Sequence, residues 1–370
     1  MAVPIKTIDI LTELRNRLEP AYLLYLFLRY PPQGFRTQLL SGGQPAFSAS
    51  FNLLTTMDPA DRRRIERLPL QRLWSSLLVF KTLFVGSTVS EFVPLAADLD
   101  AEAMAAFLVQ ESRKNYPLVI VKDLPQPCPL MVPSDAATSQ SLFDKLEKYG
   151  FIGVAGQALA YVPVDYASLD DYLARFSRAR RKDFRRKLRV MSSLKVEVLC
   201  AGDQDFYDEA MLERYYAMYV QVYAQSDIHF DRLDKGFFRA LLQEADDSLR
   251  FVTYRTQDGE LVGYNICFVV NDMLVDKYIG FDYPAATSYN LYFVSWFYNL
   301  EYARQAGLKY YIAGWTDPQV KAYLGAQFVM TRHAVYIRNP LLRGLLKHFR
   351  RYFESDTNWH QQESAKDHTA

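Results

Sequence analysis

The order strand, helix, strand, helix, strand is spelled twice along this 370-residue chain, and that repeat limits its fold more than any single motif does. In the first half, "LLVFKTLFVG" reads as a strand and "DAEAMAAFLVQESRKN" as a helix with acid at its start and base at its end. "PLVIVKDL" is a strand, "SQSLFDKLEKYG" a helix closed by Gly150, and "FIGVAGQALAYVPV" a strand or hairpin. In the second half, "RFVTYRTQDGELVGYNICFVV" is a hairpin turning at Asp258-Gly259, and "MLVDKYIGFD" is a strand. "SYNLYFVSWFYNLEYARQAG" is a helix, apolar almost all round and therefore expected to be buried. "LKYYIAG", "DPQVKAYLG" and "AQFVMTRHAVYIRN" follow as strand, short helix, and strand or hairpin. Residues 1 to about 70 read as helix and loop, punctuated at "YPPQG" and "LSGGQP".

Between the halves lies "FSRARRKDFRRKLRV". From Arg175 to Arg189, nine of fifteen residues are Lys or Arg and only Asp183 is acidic. The window carries +8, so the rest of a chain of net charge +1 sums to −7. At 100° per residue, Arg175, Arg178, Arg181, Lys182, Arg185, Arg186 and Arg189 fall within roughly 140° of arc, opposite Leu173, Phe176, Phe184, Leu188 and Met191. Like charges at i,i+4 repel by a few tenths of a kcal/mol per pair. Either a polyanion partner or acidic patches elsewhere in the fold would offset this, and a solvated surface helix is the plainer alternative.

Half the residues are apolar and 15% are aromatic, which marks a globular chain with large cores and room for two domains. Cys128, Cys200 and Cys267 are odd in number and far apart, so neither a disulfide framework nor a zinc site is expected, and a cytoplasmic location is. Asp9, Glu13, Arg15 and Arg17 break up any signal peptide, and "AYLLYLFL" is too short to span a bilayer. GxxxxGK[ST], GxGxxG after a strand, HExxH and GxSxG are all missing, and the five histidines show no metal spacing, so no metal is expected.

From Asp171 to Asn339 the chain resembles the GNAT-fold acyltransferases, specifically the FemAB-like branch with a BioF2-like acetyltransferase domain. The resemblance is carried by "DYLARFSRARRKDFRRKLR", "YIGFDYPAATSYNLYF", "YARQAGLKYYIAG" and "KAYLGAQF". It implies an α+β fold of two GNAT-like domains in tandem, with mixed, mostly antiparallel sheets flanked by helices. The boundaries expected are 1–165 for a degenerate first copy with a helical extension and 166–338 for a catalytic copy opened by the basic helix at 170–192. An amphipathic helix and polar tail fill 339–370.

The resemblance also implies a site. GNAT enzymes hold the pyrophosphate of acetyl-CoA or another acyl-CoA at a helix N-terminus, where free N–H groups and the dipole attract anions. That position is "PAATSYN", with Thr287 or Ser288 as cap and Tyr289 and Asn290 beside it; Arg181 and Arg185 would add positive charge. The usual glycine-rich signature is absent, and Fem-type relatives use aminoacyl-tRNA instead. Lys321 in "KAYLG" stands where many GNAT enzymes place a tyrosine that serves the leaving thiol, with Tyr323 two residues on. An aspartate inside a strand is uncommon, so Asp276 is the candidate base or amine binder, with Tyr278 on the same face by alternation. Asp282 ends that strand and orients substrate or caps a turn. Plainer readings stay open: a surface Lys321, a salt-bridged Asp276, an ordinary capped helix.

Asn339 reads as an N-cap before Pro340, and "LLRGLLKHFRRYF" then places leucines and aromatics on one side and Arg343, Lys347, Arg350 and Arg351 on the other. Such a helix packs its apolar side on its own domain or, through 340–353, touches the inner face of an anionic membrane. Three functions follow. The first is an N-acyltransferase moving an acyl group from a small-molecule acyl-CoA donor to an amine acceptor. The second is a tRNA-dependent aminoacyl transferase of Fem type. The third is a non-catalytic module that binds an anionic ligand or a membrane surface. No DNA partner is expected.

Overall fold

In the computed structural model, residues 6–56, 62–64, 67, 78–226, 230–244 and 246–349 are described. Among the described residues, eleven strands form one mixed, mostly antiparallel sheet flanked by helices. The first half supplies β1 (Arg36–Leu39), β2 (Pro45–Asn52), β3 (Val79–Val85), β4 (Leu118–Pro125) and β5 (Ile152–Pro163). Its helices are α1 (Lys6–Thr12), α2 (Ala21–Arg29), α3 (Ala101–Lys114) and α4 (Pro133–Lys148). The basic segment forms α5 (Leu169–Ala174) and α6 (Arg178–Leu188). The second half supplies β6 (Leu194–Leu199), α7 (Glu209–Gln225), α8 (Lys235–Glu244), β7 (Leu249–Thr256), β8 (Leu261–Val270) and β9 (Met273–Phe281). It closes with α9 (Ala285–Ser288), α10 (Leu291–Gln305), β10 (Tyr310–Gly314), α11 (Pro318–Tyr323), β11 (Gln327–Ile337) and α12 (Pro340–Phe349).

Local chemistry fixes these elements. Asp100 caps α3 by accepting from the N–H groups of Glu102 and Ala103 at 2.9 and 3.0 Å, and Arg113 and Lys114 sit in the last turn, complementing the dipole. Gly307 ends α10 at φ +68°, which favours glycine. Ser168 caps α5 and Ser177 caps α6.

The strand order is β1-β2-β3-β4-β11-β5-β10-β9-β8-β7-β6. Only β3 with β4 and β9 with β10 are parallel, and each of these pairs is joined through a helix, α3 or α10. The two domains expected in tandem share one sheet. β11, from the second half, inserts between β4 and β5, and β5, from the first, inserts between β11 and β10. Each half completes its sheet with the other's last strand, so the sheet is continuous.

One core packs α2, α7 and α8 against strands of both halves, including Phe47, Phe84, Ile120, Phe251, Ile266 and Phe268. On the other face α3 and α4 cover the first half, and α5, α6 and α10 cover the second. Burying a side chain of Leu or Phe size contributes about 1.5–3 kcal/mol, so a core shared across the halves ties them energetically as well as topologically.

Asn339 caps α12, accepting from the N–H of Leu341 at 2.9 Å. Leu346 packs against the core, but Leu341 is 82% and Leu345 53% exposed, so the apolar side of this helix is covered only in part. Residues 350–353 and the expected polar tail lie outside the described residues.

Candidate active site

β9 and β10 pair in parallel from Met273–Val275 to Tyr310–Ile312 and then part. Just beyond, Lys277 is an extra residue: Ile266 of β8 faces Tyr278 while the adjacent Cys267 faces Asp276. The gap between the parting strands is a cavity of about 210 Å³. Its walls include Asp276, Lys277, Tyr278 and Ile279 from β9, Ala313 to Thr316 at and just beyond the end of β10, and Lys321 from α11.

Asp276 is held by many donors. Asn265 Nδ2 donates to both its oxygens at 3.1 and 3.0 Å, Asn299 Nδ2 donates to Oδ2 at 3.0 Å, and the Tyr311 hydroxyl donates to Oδ2 at 2.9 Å. The Cys267 thiol lies 3.6 Å from Oδ1. Burial raises the carboxyl pKa, against the opposing pull of Asn265, Tyr311 and Lys321. The same burial, with Asp276 adjacent, drives the Cys267 thiol and Tyr311 hydroxyl well above their usual ranges, so both stay protonated donors.

Lys321 is buried, at 5% exposure, and donates from Nζ to the Ala313 carbonyl at 2.5 Å. Burial pulls its pKa down from 10.5 to about 8, although Asp276, Asp317 and Glu91 push it up. The helix that carries it is set by local rules. Asp317 takes the left-handed region at φ +52°, Pro318 occupies the first turn, and the Lys321 N–H returns to the Asp317 carbonyl at 3.1 Å. Gly325 ends the turn at φ +98°, where a Cβ would lie 2.5 Å from both the Phe176 ring and the Tyr172 hydroxyl.

The expected catalytic residues therefore divide. Asp276, Tyr278 and Lys321 wall one cavity. Asp276 and Tyr278 do not share a face, however: the bulge at Lys277 turns Tyr278 toward α7, where its ring meets Tyr219 edge-on at 6.3 Å, while Asp276 stays toward α10. Tyr323 points the other way from Lys321, donating to Asp183 of α6 at 3.0 Å beneath the Arg180 guanidinium. Asp282 serves the turn after β9, where its carbonyl accepts the Ala286 N–H at 2.7 Å.

The expected anion cradle is also corrected. Backbone N–H groups from Ala286 to Asn290 all donate to nearby carbonyls, because α9 is itself a helical turn stacked ahead of α10. Neither Thr287 nor Ser288 caps α10. Asn290 holds that position at φ +50° without a side-chain cap bond, and Tyr289 packs into an apolar cluster. Arg181 donates to the Ala174 and Phe176 carbonyls at the end of α5, and Arg185 pairs with Asp170 at 3.0 Å. Asp183 takes both Arg186 and Lys187, and Arg175 pairs with Asp165. Acidic neighbours thus relieve much of the charge that the sequence concentrates here. Arg178, Lys182 and Arg189 stay exposed with no partner among the described residues.

Several residues at or beside this cavity were not singled out from the sequence: Glu19, Glu91, Asn265, Lys277, Asn299 and Tyr311. Two had a signal. Asn265 interrupts the apolar strand "LVGYNICFVV", and Asn299 interrupts the apolar helix "LYFVSWFYNL".

The fold recurs in solved structures at low sequence identity. The C-terminal domain of a putative lysylphosphatidylglycerol synthetase from Agrobacterium fabrum aligns with a TM-score of 0.54 and 12% identity, over 92% of this chain and 94% of that one. L-PGS from Bacillus licheniformis aligns at 0.51 and 12%, over 90% and 97%. FemX aligns at 0.50 and 12%, over 94% and 99%. No curated protein sequence matches the chain. Over residues 136–369 the sequence matches the FemAB-like family, described as peptidoglycan biosynthesis/recognition, and the chain belongs to that family.

Proposed function

We propose that this protein is an aminoacyl transferase that forms an amide between an aminoacyl ester, carried on tRNA, and an amine of a peptidoglycan-precursor acceptor. The observation that carries the reading is the buried Lys321 beside the multiply bonded Asp276, in a cavity opened by the parting of β9 and β10. Family membership and the folds of FemX and the lysylphosphatidylglycerol synthetases support it. Occupied N–H groups at Ala286 to Asn290 weigh against an acyl-CoA pyrophosphate there, and the unpaired Arg178, Lys182 and Arg189 suit a polyanionic carrier. We read the two halves as two GNAT-like units joined by exchange of β5 and β11.

In this reading Lys321, still largely cationic at pH 7, donates to the oxyanion that forms as the amine attacks the ester carbonyl. As the C–O bond breaks, Lys321 passes its proton to the leaving oxygen, and the proton shed by the new amide nitrogen restores the ammonium. A pKa of about 8 makes both transfers easy near neutrality. Both Asp276 oxygens already accept hydrogen bonds, so its part is a fixed negative charge that keeps Lys321 protonated.

The test is a transfer assay with radiolabelled aminoacyl-tRNA, acetyl-CoA and long-chain acyl-CoA, each offered with a muramyl-peptide acceptor. Transfer from the charged tRNA alone is expected, with kcat falling above about pH 8. Transfer only from acyl-CoA would replace the donor, and none from any donor would refute the reading. Contact with an anionic membrane is proposed for α12, whose exposed Leu341 and Leu345 lie beside Lys347. Liposome flotation checks it, and a Leu341→Ser/Leu345→Ser variant should lose binding.

A further inference from the structure

The same cavity is walled by a second ionic cluster that this chemistry leaves unused. The bulged Lys277 donates to Glu91 at 2.6 Å and to Glu19 at 3.3 Å, and Glu19 Oε1 also accepts the Glu91 N–H at 2.6 Å. These side chains are 6%, 2% and 3% exposed. Two carboxylates therefore share one ammonium. Oε2 of each carboxylate is buried without a hydrogen-bond partner, and so are the hydroxyls of Tyr278 and Tyr292. Glu91, Tyr278 and Tyr292 all line the cavity. Burial raises the carboxyl pKa of Glu19, and that of the neighbouring Asp231.

A buried carboxylate oxygen with no partner is costly, and a cation bearing N–H groups is the partner that would satisfy it. A primary ammonium offers three donors in a compact head, and Glu91 Oε2 and the Tyr278 hydroxyl, both buried without a partner, would accept two of them. At about 210 Å³ the cavity falls below the ~300–1,000 Å³ of sites that enclose a drug-sized ligand, so it takes a small group while any large carrier stays outside. We propose that Glu91, with Tyr278 and backed by Glu19, forms a subsite for a primary ammonium of the substrate. This inference rests on the transferase reading above. The ammonium belongs either to the aminoacyl donor, as its α-amino group, or to the acceptor amine before it loses its proton.

The test titrates the full chain with alaninamide, propionamide and propylamine, by ligand-observed NMR and calorimetry. Alaninamide is expected to bind at least tenfold tighter than propionamide, its counterpart without the ammonium. Glu91→Gln should erase that difference. Tyr278→Phe, which removes only an unpartnered hydroxyl and should fold even if Glu91→Gln does not, should weaken alaninamide at least threefold. Propylamine matching alaninamide assigns the subsite to the acceptor amine, and propylamine tenfold weaker assigns it to the donor. Propionamide matching alaninamide, no binding of any of the three, or full discrimination surviving in both variants overturns the subsite. Transfer by a protein indifferent to the ammonium sinks the subsite alone. Ammonium-dependent binding in a protein that transfers from no donor sinks the transferase reading alone.

Discussion

Replacing Lys321 with Met is expected to make the protein slightly more stable at neutral pH and far less active. In the folded state burial holds the Lys321 pKa at about 8, against 10.5 when free. A fall of that size disfavours the charged form by about 3 kcal/mol. Between about pH 8 and 10.5 the unfolded chain keeps a proton on this group that the folded chain has released, so wild-type stability rises with pH through that window. Below about pH 8 both states are protonated, and the full penalty is present. Met removes the penalty but strips the Ala313 carbonyl of its 2.5 Å bond, a loss of about 1–3 kcal/mol. The net at pH 7 is a gain of about 1 kcal/mol for the variant, turning into a deficit of about 2 kcal/mol by pH 10.5. Urea unfolding of both proteins at pH 7, 8, 9 and 10 reads the gap directly, because groups remote from Lys321 cancel in the difference. Turnover should drop at least 10²-fold, the lower range for loss of a general acid. A gap that stays constant with pH would mean that Lys321 titrates as an ordinary lysine, and its role in passing protons near neutrality would fail with it.

Asp276→Asn removes a charge that raises the Lys321 pKa, so the falling limb of kcat against pH should move below pH 8; it also leaves Asn265, Asn299 and Tyr311 with fewer acceptors, for a loss of about 2–4 kcal/mol in urea unfolding. The triple change Arg178→Gln, Lys182→Gln and Arg189→Gln should lower the slope of log affinity for tRNA against log salt by about 2–3 while leaving the melting temperature unchanged. Gly325→Ala should cost about 2–4 kcal/mol in a thermal melt, since its Cβ would meet Phe176 and Tyr172 at 2.5 Å on a backbone at φ +98°.

Much of the second half could be read from sequence because its signals are local. The Asp258-Gly259 turn, the all-apolar α10 and the Gly307 stop each depend on residues within one element. β1 and β2 were hidden in a stretch taken for helix and loop; β2 is buried along most of its length and shows no clean alternation. Asp276 and Lys321 stand out as candidates by residue type and family pattern, and the fold brings both to one cavity. The orientation of Tyr278 could not be read from the sequence, because a one-residue bulge reverses every side chain beyond it. Two adjacent charged residues, Asp276 and Lys277, inside an apolar strand were the visible trace of that bulge. The state of the expected anion cradle was hidden for a related reason: nothing in "PAATSYN" says that its N–H groups are already bonded to Asp282, Pro284, Ala285 and Thr287.

Exchange of the last strands makes the site a joint product of both halves. β10 stays bonded to β5 through Ile312 and on to Gly314, past the point where it leaves β9. The opening toward β9 therefore exists without stranding both edges of β10, and the strand that permits this comes from the first half. Glu19, Thr88 and Glu91 come from it too, and Lys277 has no other carboxylate partner among the described residues. A fragment starting at residue 166 would expose the edge of β10, leave β11 without β4 or β5, and strip Lys277 of both its carboxylate partners. Such a fragment is expected to be insoluble or molten, with neither near-ultraviolet circular dichroism nor transfer activity. Adding residues 1–165 as a separate chain should restore both if the two are refolded together. A cooperatively folded, active 166–349 fragment would show that the first half is dispensable, and the account of the cavity as a shared structure would be wrong.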